Sequence, residues 1–422
     1  MEMGSSIAGL EAIEILDSRS RPTLAVTVTL KDGTVARAGV PSGASTGSRE
    51  AVELRDSVLR RYRGAGVLKA VGHVNGPIAD HLRGRSFESL QALDRELIDL
   101  DGTSDKHRLG ANAIVGVSVA AARAFAWSEG KELWEYLRPS DVTATLPVPH
   151  FNVVNGGAHA QNPLDFQEFM IAPVGAPSLA EAVRAGSEIY TKLRGLLADQ
   201  YHETGLGDEG GFAPPISRPE DVLTLLVRAI NDAGYKADRS DVAIAMDPAS
   251  SEFYRDGQYH VAGEVLSSSD MISWYEELVD QYPIWLLEDG LAESDWEGWR
   301  ELTTRLGQRI EIVGDDILCT NPAIIADAIK RNVANAALIK VNQVGTVSET
   351  LEAMRLCREA GWAQFVSHRS GETDDTFIAD LSVGTGCGHL KSGAPARGER
   401  TAKYNRLIEI EAATDLKYGM AQ

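Results

Sequence analysis

Six short apolar runs in the second half of the chain each end on a polar residue, and those polar residues recur at nearly one interval. The runs are 242–246, 284–287, 310–313, 336–339, 363–366 and 388–390, and the residues that end them are Asp247, Glu288, Asp315, Lys340, His368 and Lys391. Successive intervals are 41, 27, 25, 28 and 23 residues, most of them the length of one strand and one helix. Amphipathic stretches fall between, as at 267–281 and 348–360. Buried strands alternating with helices predict a parallel sheet. The roughly 277 residues after about position 145 suit a closed (β/α)₈ barrel, which takes about 250.

The region before it has another pattern. Residues 24–30 alternate with period two, and a second strand is expected at 34–40, after the Asp32-Gly33 turn. Helical periodicity follows at 48–62, 77–82, 86–100 and 112–129. Strands first and helices after predict an α+β unit. Residues 138–149 carry three prolines and are expected to be a linker. The fold class is thus α/β, with an α+β capping domain at 1–138 and a barrel at 139–422.

Charge and cysteine usage narrow the function. The 422 residues carry 61 acidic and 41 basic side chains, a net charge of −20. That excludes nucleic acid as a partner, since a phosphate backbone needs a basic footprint. An anionic substrate would need a local positive site built from metal ions or a few lysines and arginines. The longest apolar run, 115–127, is interrupted by Ser118 and Arg123 and reads as too short and too polar for a membrane span. Cys319, Cys357 and Cys387 lie far apart with no paired spacing, which fits a reducing cytoplasm.

Barrel sites are assembled at the C-terminal ends of the strands. Three carboxylates, two lysines and a histidine are therefore expected at one mouth. Asp247, Glu288 and Asp315 offer oxygen without thiolate, which fits Mg²⁺ better than zinc. Lys340 sits inside ALIKVNQVG. Burial and positive neighbours lower a lysine's pKa, so it is expected to serve as a general base. The segment PSGASTG, 41–47, is small and hydroxyl-rich, as a lid loop should be. LGDEGG, 206–211, sets two acids among glycines, which permits close backbone approach.

Together VPSGASTG, NGGAHA, DFQEFMIAP, GDEGGFAP, ASSEF, VGDD, KVNQVGT, SHRSGET and KSGAPARGER resemble the enolase family, over about residues 14–411. The resemblance implies a small α+β lid domain and a barrel whose first units depart from simple β/α alternation. It implies a hydro-lyase converting 2-phosphoglycerate to phosphoenolpyruvate with two Mg²⁺ ions. Asp247, Glu288 and Asp315 would hold the tighter ion, and Ser42 would touch the second. Lys340 would take the C2 proton, and Glu209, with Glu168 beside it, would protonate the departing hydroxyl. That demands a lowered pKa on Lys340 and a raised one on Glu209. Lys391 would bind the substrate carboxylate, Arg369 and Ser370 the phosphate, and Gln167 would also contact substrate. His159 would arrive on a mobile loop, and His368 would line the pocket near the leaving group.

Several positions depart from the family's usual pattern: Ser20-Arg21, Gln161-Asn162-Pro163, Pro248, Gly290 and Ser392. Gly290 is expected to loosen the metal-side wall, and Arg21 to add a cation near the first hairpin. These features leave two alternatives beside the glycolytic enzyme: a paralogue acting on a phosphoglycerate-derived substrate of phosphonate metabolism, or a non-catalytic binding protein. The family also implies a homodimer or higher homo-oligomer. Its usual interfacial Glu–Arg pair falls on Ala25 and Glu409, so another contact must hold the copies together.

Overall fold

The computed structural model describes residues 5–44, 46–201 and 205–419. Ser45 of the PSGASTG segment, and the chain ends 1–4 and 420–422, lie outside the described residues. Strands β1 (Ser5–Leu16), β2 (Pro22–Leu30), β3 (Val35–Gly39) and β4 (Ser86–Phe87) form an antiparallel sheet in the order β3-β2-β1-β4. The turn expected at Asp32-Gly33 is present, with Gly33 at φ 95° and Asp32 Oδ1 accepting the Thr34 N–H at 2.8 Å.

The helix Ala111–Ser128 packs across this sheet. The approach is close enough that a Cβ on Gly116 would sit 2.6 Å from Val26 and 3.0 Å from Val40. This helix corrects one expectation. Its 18 residues have a mean hydropathy of 1.2, enough by length and composition to cross a membrane, but 83% of them are buried inside the protein. Two of its polar residues tie it to the barrel: Ser118 Oγ accepts the Val347 N–H at 2.9 Å, and Arg123 pairs with Asp375 at 2.9 and 3.0 Å.

Four other expectations in this region are corrected. Residues 51–58 form no helix. They run as an extended strap whose backbone bonds go elsewhere: Ala51 N–H to Gln343 O, Val52 N–H to Asp105 O and Asp56 N–H to Gly66 O, each at 2.8 Å. The helix expected from residue 77 begins at Leu68, and Pro77, lacking an N–H, lies inside a π-helical turn at Val74–Ile78. Ser86 and Phe87 belong to β4, and the next helix is Leu90–Asp101, capped by Ser89. The proline-rich stretch is no free linker, because residues 144–147 are buried and Leu146 bridges to Tyr418.

Eight strands close the barrel: β5 (Val148–Asn155), β6 (Glu168–Ala172) and β7 (Ala243–Asp247), then β11 (Ile284–Glu288), β12 (Glu311–Gly314), β13 (Ala336–Ile339), β14 (Ala363–Ser367) and β15 (Gly388–Lys391). A small antiparallel sheet of β8 (Tyr254–Arg255), β9 (Gln258–Val261) and β10 (Glu264–Leu266) intervenes. β6 pairs antiparallel with both β5 and β7, and every other barrel pairing is parallel. The six anticipated strands are all present within a residue or so of their expected limits. β5 and β6 supply the departure from alternation.

Candidate active site

Asp247, Glu288 and Lys391 are the last residues of β7, β11 and β15, while Asp315, Lys340 and His368 directly follow β12, β13 and β14. Parallel pairing in common register brings these six to one mouth. A small cavity lies there. Its wall includes His159, Gln167, Glu168, Glu209, Asp247, Asp315, Lys340, His368, Arg369, Ser370 and Lys391, together with Ser367. Of the thirteen residues expected from the sequence, only Glu288 and Ser42 lie off this wall. Glu288 sits behind Lys391. Ser42 exchanges backbone hydrogen bonds with Gly371, and its hydroxyl donates to Glu53 at 3.1 Å and accepts from Arg55 at 2.9 Å.

The two lysines neutralise the strand-end carboxylates. Lys391 Nζ donates to both Glu288 oxygens at 2.6 and 2.8 Å and to Glu168 at 3.1 Å, and lies 3.8 Å from Asp247. Lys340 Nζ donates to Asp315 Oδ2, and Gln343 Nε2 donates to Asp315 Oδ1 at 2.8 Å. Arg369 holds Glu50 through both terminal nitrogens, at 3.0 and 3.1 Å.

Glu209 stands on the Gly-rich loop. A Cβ on Gly207 or Gly211 would come within 2.6 and 2.7 Å of Asn155, so the loop can pass only as glycine. Asn152 Nδ2 donates to Glu209 Oε2 at 2.9 Å. His368 Nε2 lies 3.1 Å from the same oxygen, and Arg400 Nη1 donates to His368 Nδ1 at 2.5 Å. Because Arg400 donates into Nδ1, the neutral ring carries its proton on Nε2, facing Glu209. His159 Nδ1 lies 3.6 Å from Glu168 and 3.7 Å from Glu209.

The charge states reverse the sequence expectation. Burial favours neutral Lys340, but Asp315 outweighs it and the pKa is raised. Burial would raise Glu209, but His368, His159 and Arg400 hold it well below the usual carboxylate range. The raised carboxyl is Glu168, pushed up to about 8 by burial and by the charge of Glu209. Burial, opposed by the Glu209 charge, takes His368 down to about 3.

The residues present fit a hard divalent cation. Asp247, Glu288 and Asp315 offer only oxygen and are buried on neighbouring strands. Burial, then the charge of Glu288, raises Asp247 well above its ordinary value, and burial also raises Glu288. Such crowding favours a cation in their midst. Two other trios, Asp289–Asp315–Asp316 and His159–Glu168–Glu209, bring possible ligand atoms within 4.8 Å of one another.

Comparison with known proteins decides the family. Residues 7–137 match the family description "Enolase, N-terminal domain", and residues 143–419 match "Enolase, C-terminal TIM barrel domain". The chain belongs to the enolase family. Enolase 1 of Chlorobaculum tepidum is 52% identical over 408 residues, covering 96% of this chain and 95% of that protein. As an enolase-family member the chain is a hydro-lyase, and the family implies a metal cofactor and a phosphorylated small-molecule substrate.

Against that enolase framework, sequence reasoning missed several residues that hold the site. Arg400 closes the KSGAPARGER motif and fixes His368 and the Arg369 and Ser370 carbonyls. A cation closing a motif rich in small residues was the available signal. Asp289 accepts the Asp315 and Asp316 N–H groups at 2.8 and 3.1 Å, and Asn152 and Gln343 hold Glu209 and Asp315. One expected departure is corrected, and Arg21 does add its cation at the β1–β2 turn. Gly290 packs tightly, since a Cβ would meet Leu287 at 2.8 Å, and its carbonyl accepts from Tyr275 at 2.9 Å. Arg21 is exposed and is not part of the cavity wall.

Proposed function

We propose that the chain eliminates water from 2-phosphoglycerate to give phosphoenolpyruvate, with two Mg²⁺ ions per active site. The observation that carries this is one cavity that gathers Lys340 and Lys391, the strand-end carboxylates Asp315 and Asp247 with which they pair, and the Glu168–Glu209 pair. Asp247, Glu288 and Asp315 would hold one ion and Ser42 would approach the second. When bound, the ions supply positive charge to the substrate carboxylate, which becomes a dianion as the C2 proton leaves.

Lys340 takes that proton. Burial alone favours its neutral form, so Lys340 becomes a base once the Asp315 carboxylate is drawn away from it. Lys391, released from Glu288, meets the substrate carboxylate. Arg369 and Ser370 hold the phosphate, and Gln167 orients the substrate. Glu209 delivers a proton to the departing hydroxyl. The proton rests on Glu168, the raised member of the pair, and His159 lies between the two carboxyls. His368 presents its Nε2 proton beside Glu209.

In this proposal residues 1–138 serve as a lid on the barrel, 139–422. The enzyme works in the cytoplasm, a setting supported by three buried cysteines free of disulfides. It assembles as a homodimer or larger. Ala25 is buried and uncharged, and Glu409 lies 3.9 Å from Arg406 of its own chain, so these two positions do not supply the family's usual interfacial ion pair and another contact holds the copies together. The phosphonate and non-catalytic alternatives are not favoured. The relative named above is an enolase, the proposed machinery is complete, and Arg21 and Gly290 do not reshape the cavity.

Exchange of the substrate's C2 hydrogen in deuterated water tests these roles. Glu209→Gln should still exchange while failing to eliminate, and Lys340→Ala should do neither, each losing about 10²–10⁴ in rate. Wild-type exchange by Lys340→Ala would overturn the assignment of the base.

A further inference from the structure

We propose that Glu50 is a positioning residue that couples the lid segment to the phosphate end of the site through Arg369. It rests on the role proposed above for Arg369. Glu50 is not part of the catalytic cavity wall, whereas Arg369 is. The two side chains are only 10% and 2% exposed, and their contact is two-point, one carboxylate oxygen to each terminal nitrogen. Such a fork fixes the plane of a guanidinium, which a single contact leaves free to rotate. Asn342 Oδ1 accepts from the same Arg369 Nη1 at 3.1 Å, adding a third restraint.

Glu50 also holds the lid. Its Oε1 accepts the Gly47 N–H at 3.1 Å, and its own N–H donates to the Gly47 carbonyl at 3.1 Å. Gly47 lies so close to the barrel mouth that a Cβ would sit 2.6 Å from Cys319 Sγ. The neighbouring residues are tied to the barrel as well, Ser48 N–H to Glu293 at 3.0 Å and Arg49 Nη2 to the Ile317 carbonyl at 2.5 Å. From Glu50 a second branch runs inward: Gln343 Nε2 lies 3.3 Å from Glu50 Oε1 and 2.8 Å from Asp315 Oδ1. One carboxylate thus touches the lid, the phosphate-holding arginine and the amide that holds a proposed metal ligand. Detaching the lid segment removes the anion that orients Arg369, so the guanidinium is set for phosphate only when the lid is down.

The test compares wild type, Glu50→Gln, Arg369→Ala and the double variant by steady-state kinetics with 2-phosphoglycerate. Inorganic phosphate serves as a competitive probe of the phosphate end. Arg369→Ala should raise both KM and the inhibition constant of phosphate. Glu50→Gln should raise KM about tenfold, the effect of one charge-assisted hydrogen bond, with a smaller fall in kcat. In the Arg369→Ala background it should add almost nothing, because its effect passes through that arginine. An unchanged KM in Glu50→Gln, or the same factor in both backgrounds, overturns the inference. An unchanged phosphate inhibition constant in Arg369→Ala overturns the phosphate role itself, and is read without any Glu50 variant. If Glu50→Gln does not fold, Glu50→Asp replaces it: the charge remains, the fork is one methylene short, and the same rise in KM is expected.

Discussion

Replacing Lys391 with methionine should destabilise the metal-free protein far more than a surface substitution would. The Lys391 side chain is 2% exposed, and its ammonium touches Glu288 twice, at 2.6 and 2.8 Å, Glu168 at 3.1 Å and Asp247 at 3.8 Å. Methionine matches the length and removes the charge, which leaves three buried carboxylates without their common cation. Removing one partner of a buried ion pair costs about 3–5 kcal/mol, because the charge left behind is uncompensated. With an m-value at or above about 3 kcal/mol/M for a chain of this size, the urea midpoint in EDTA should fall by about 1 M. Excess Mg²⁺ should recover part of the loss, since two of the three, Glu288 and Asp247, are proposed ligands. A midpoint within about 0.2 M of wild type in EDTA, or a loss that Mg²⁺ does not reduce, would refute the reasoning.

Three further outcomes follow from the same geometry. Asp315→Asn, which removes one ligand charge and the partner of Lys340, should weaken Mg²⁺ activation at least about tenfold; an unchanged Mg²⁺ dependence would contradict the ligand set. Glu168 has its pKa raised from 4.5 to about 8, so the stability it contributes to the metal-free fold is full below pH 4.5 and lost as pH rises to about 8. Glu168→Gln should flatten that part of the stability–pH curve, by up to about 1.4 kcal/mol per unit, and an identical curve would remove Glu168 as the protonated carboxyl. Light scattering at micromolar protein should give at least twice the 45.5 kDa chain mass, and a monomer would end the proposed assembly.

The later barrel strands were legible because a parallel strand buried on both faces is a short, continuous apolar run that ends on a polar residue at the mouth. β5 and β6 were not. β5 carries Pro149, His150 and Asn152, all buried, and its neighbour β6 runs antiparallel. Residues 48–62 misled for a different reason: their spacing suits a helix, but the Ala51 and Val52 N–H groups find their partners on distant residues, Gln343 and Asp105, and others close local turns instead of a helical ladder. The same distance hid the charge states. Glu209 is set by His368 and Lys340 by Asp315, partners that meet only in the closed barrel. The residues that gather at the mouth could be named from motifs; their protonation could not.

The central claim is tested most directly by mixing the purified protein with 2-phosphoglycerate and Mg²⁺ and following the ultraviolet absorbance of the enolpyruvate product. The account predicts a rise that EDTA abolishes, with kcat/KM of at least about 10⁴ M⁻¹s⁻¹. No rise, or a rise that survives excess EDTA, would contradict it.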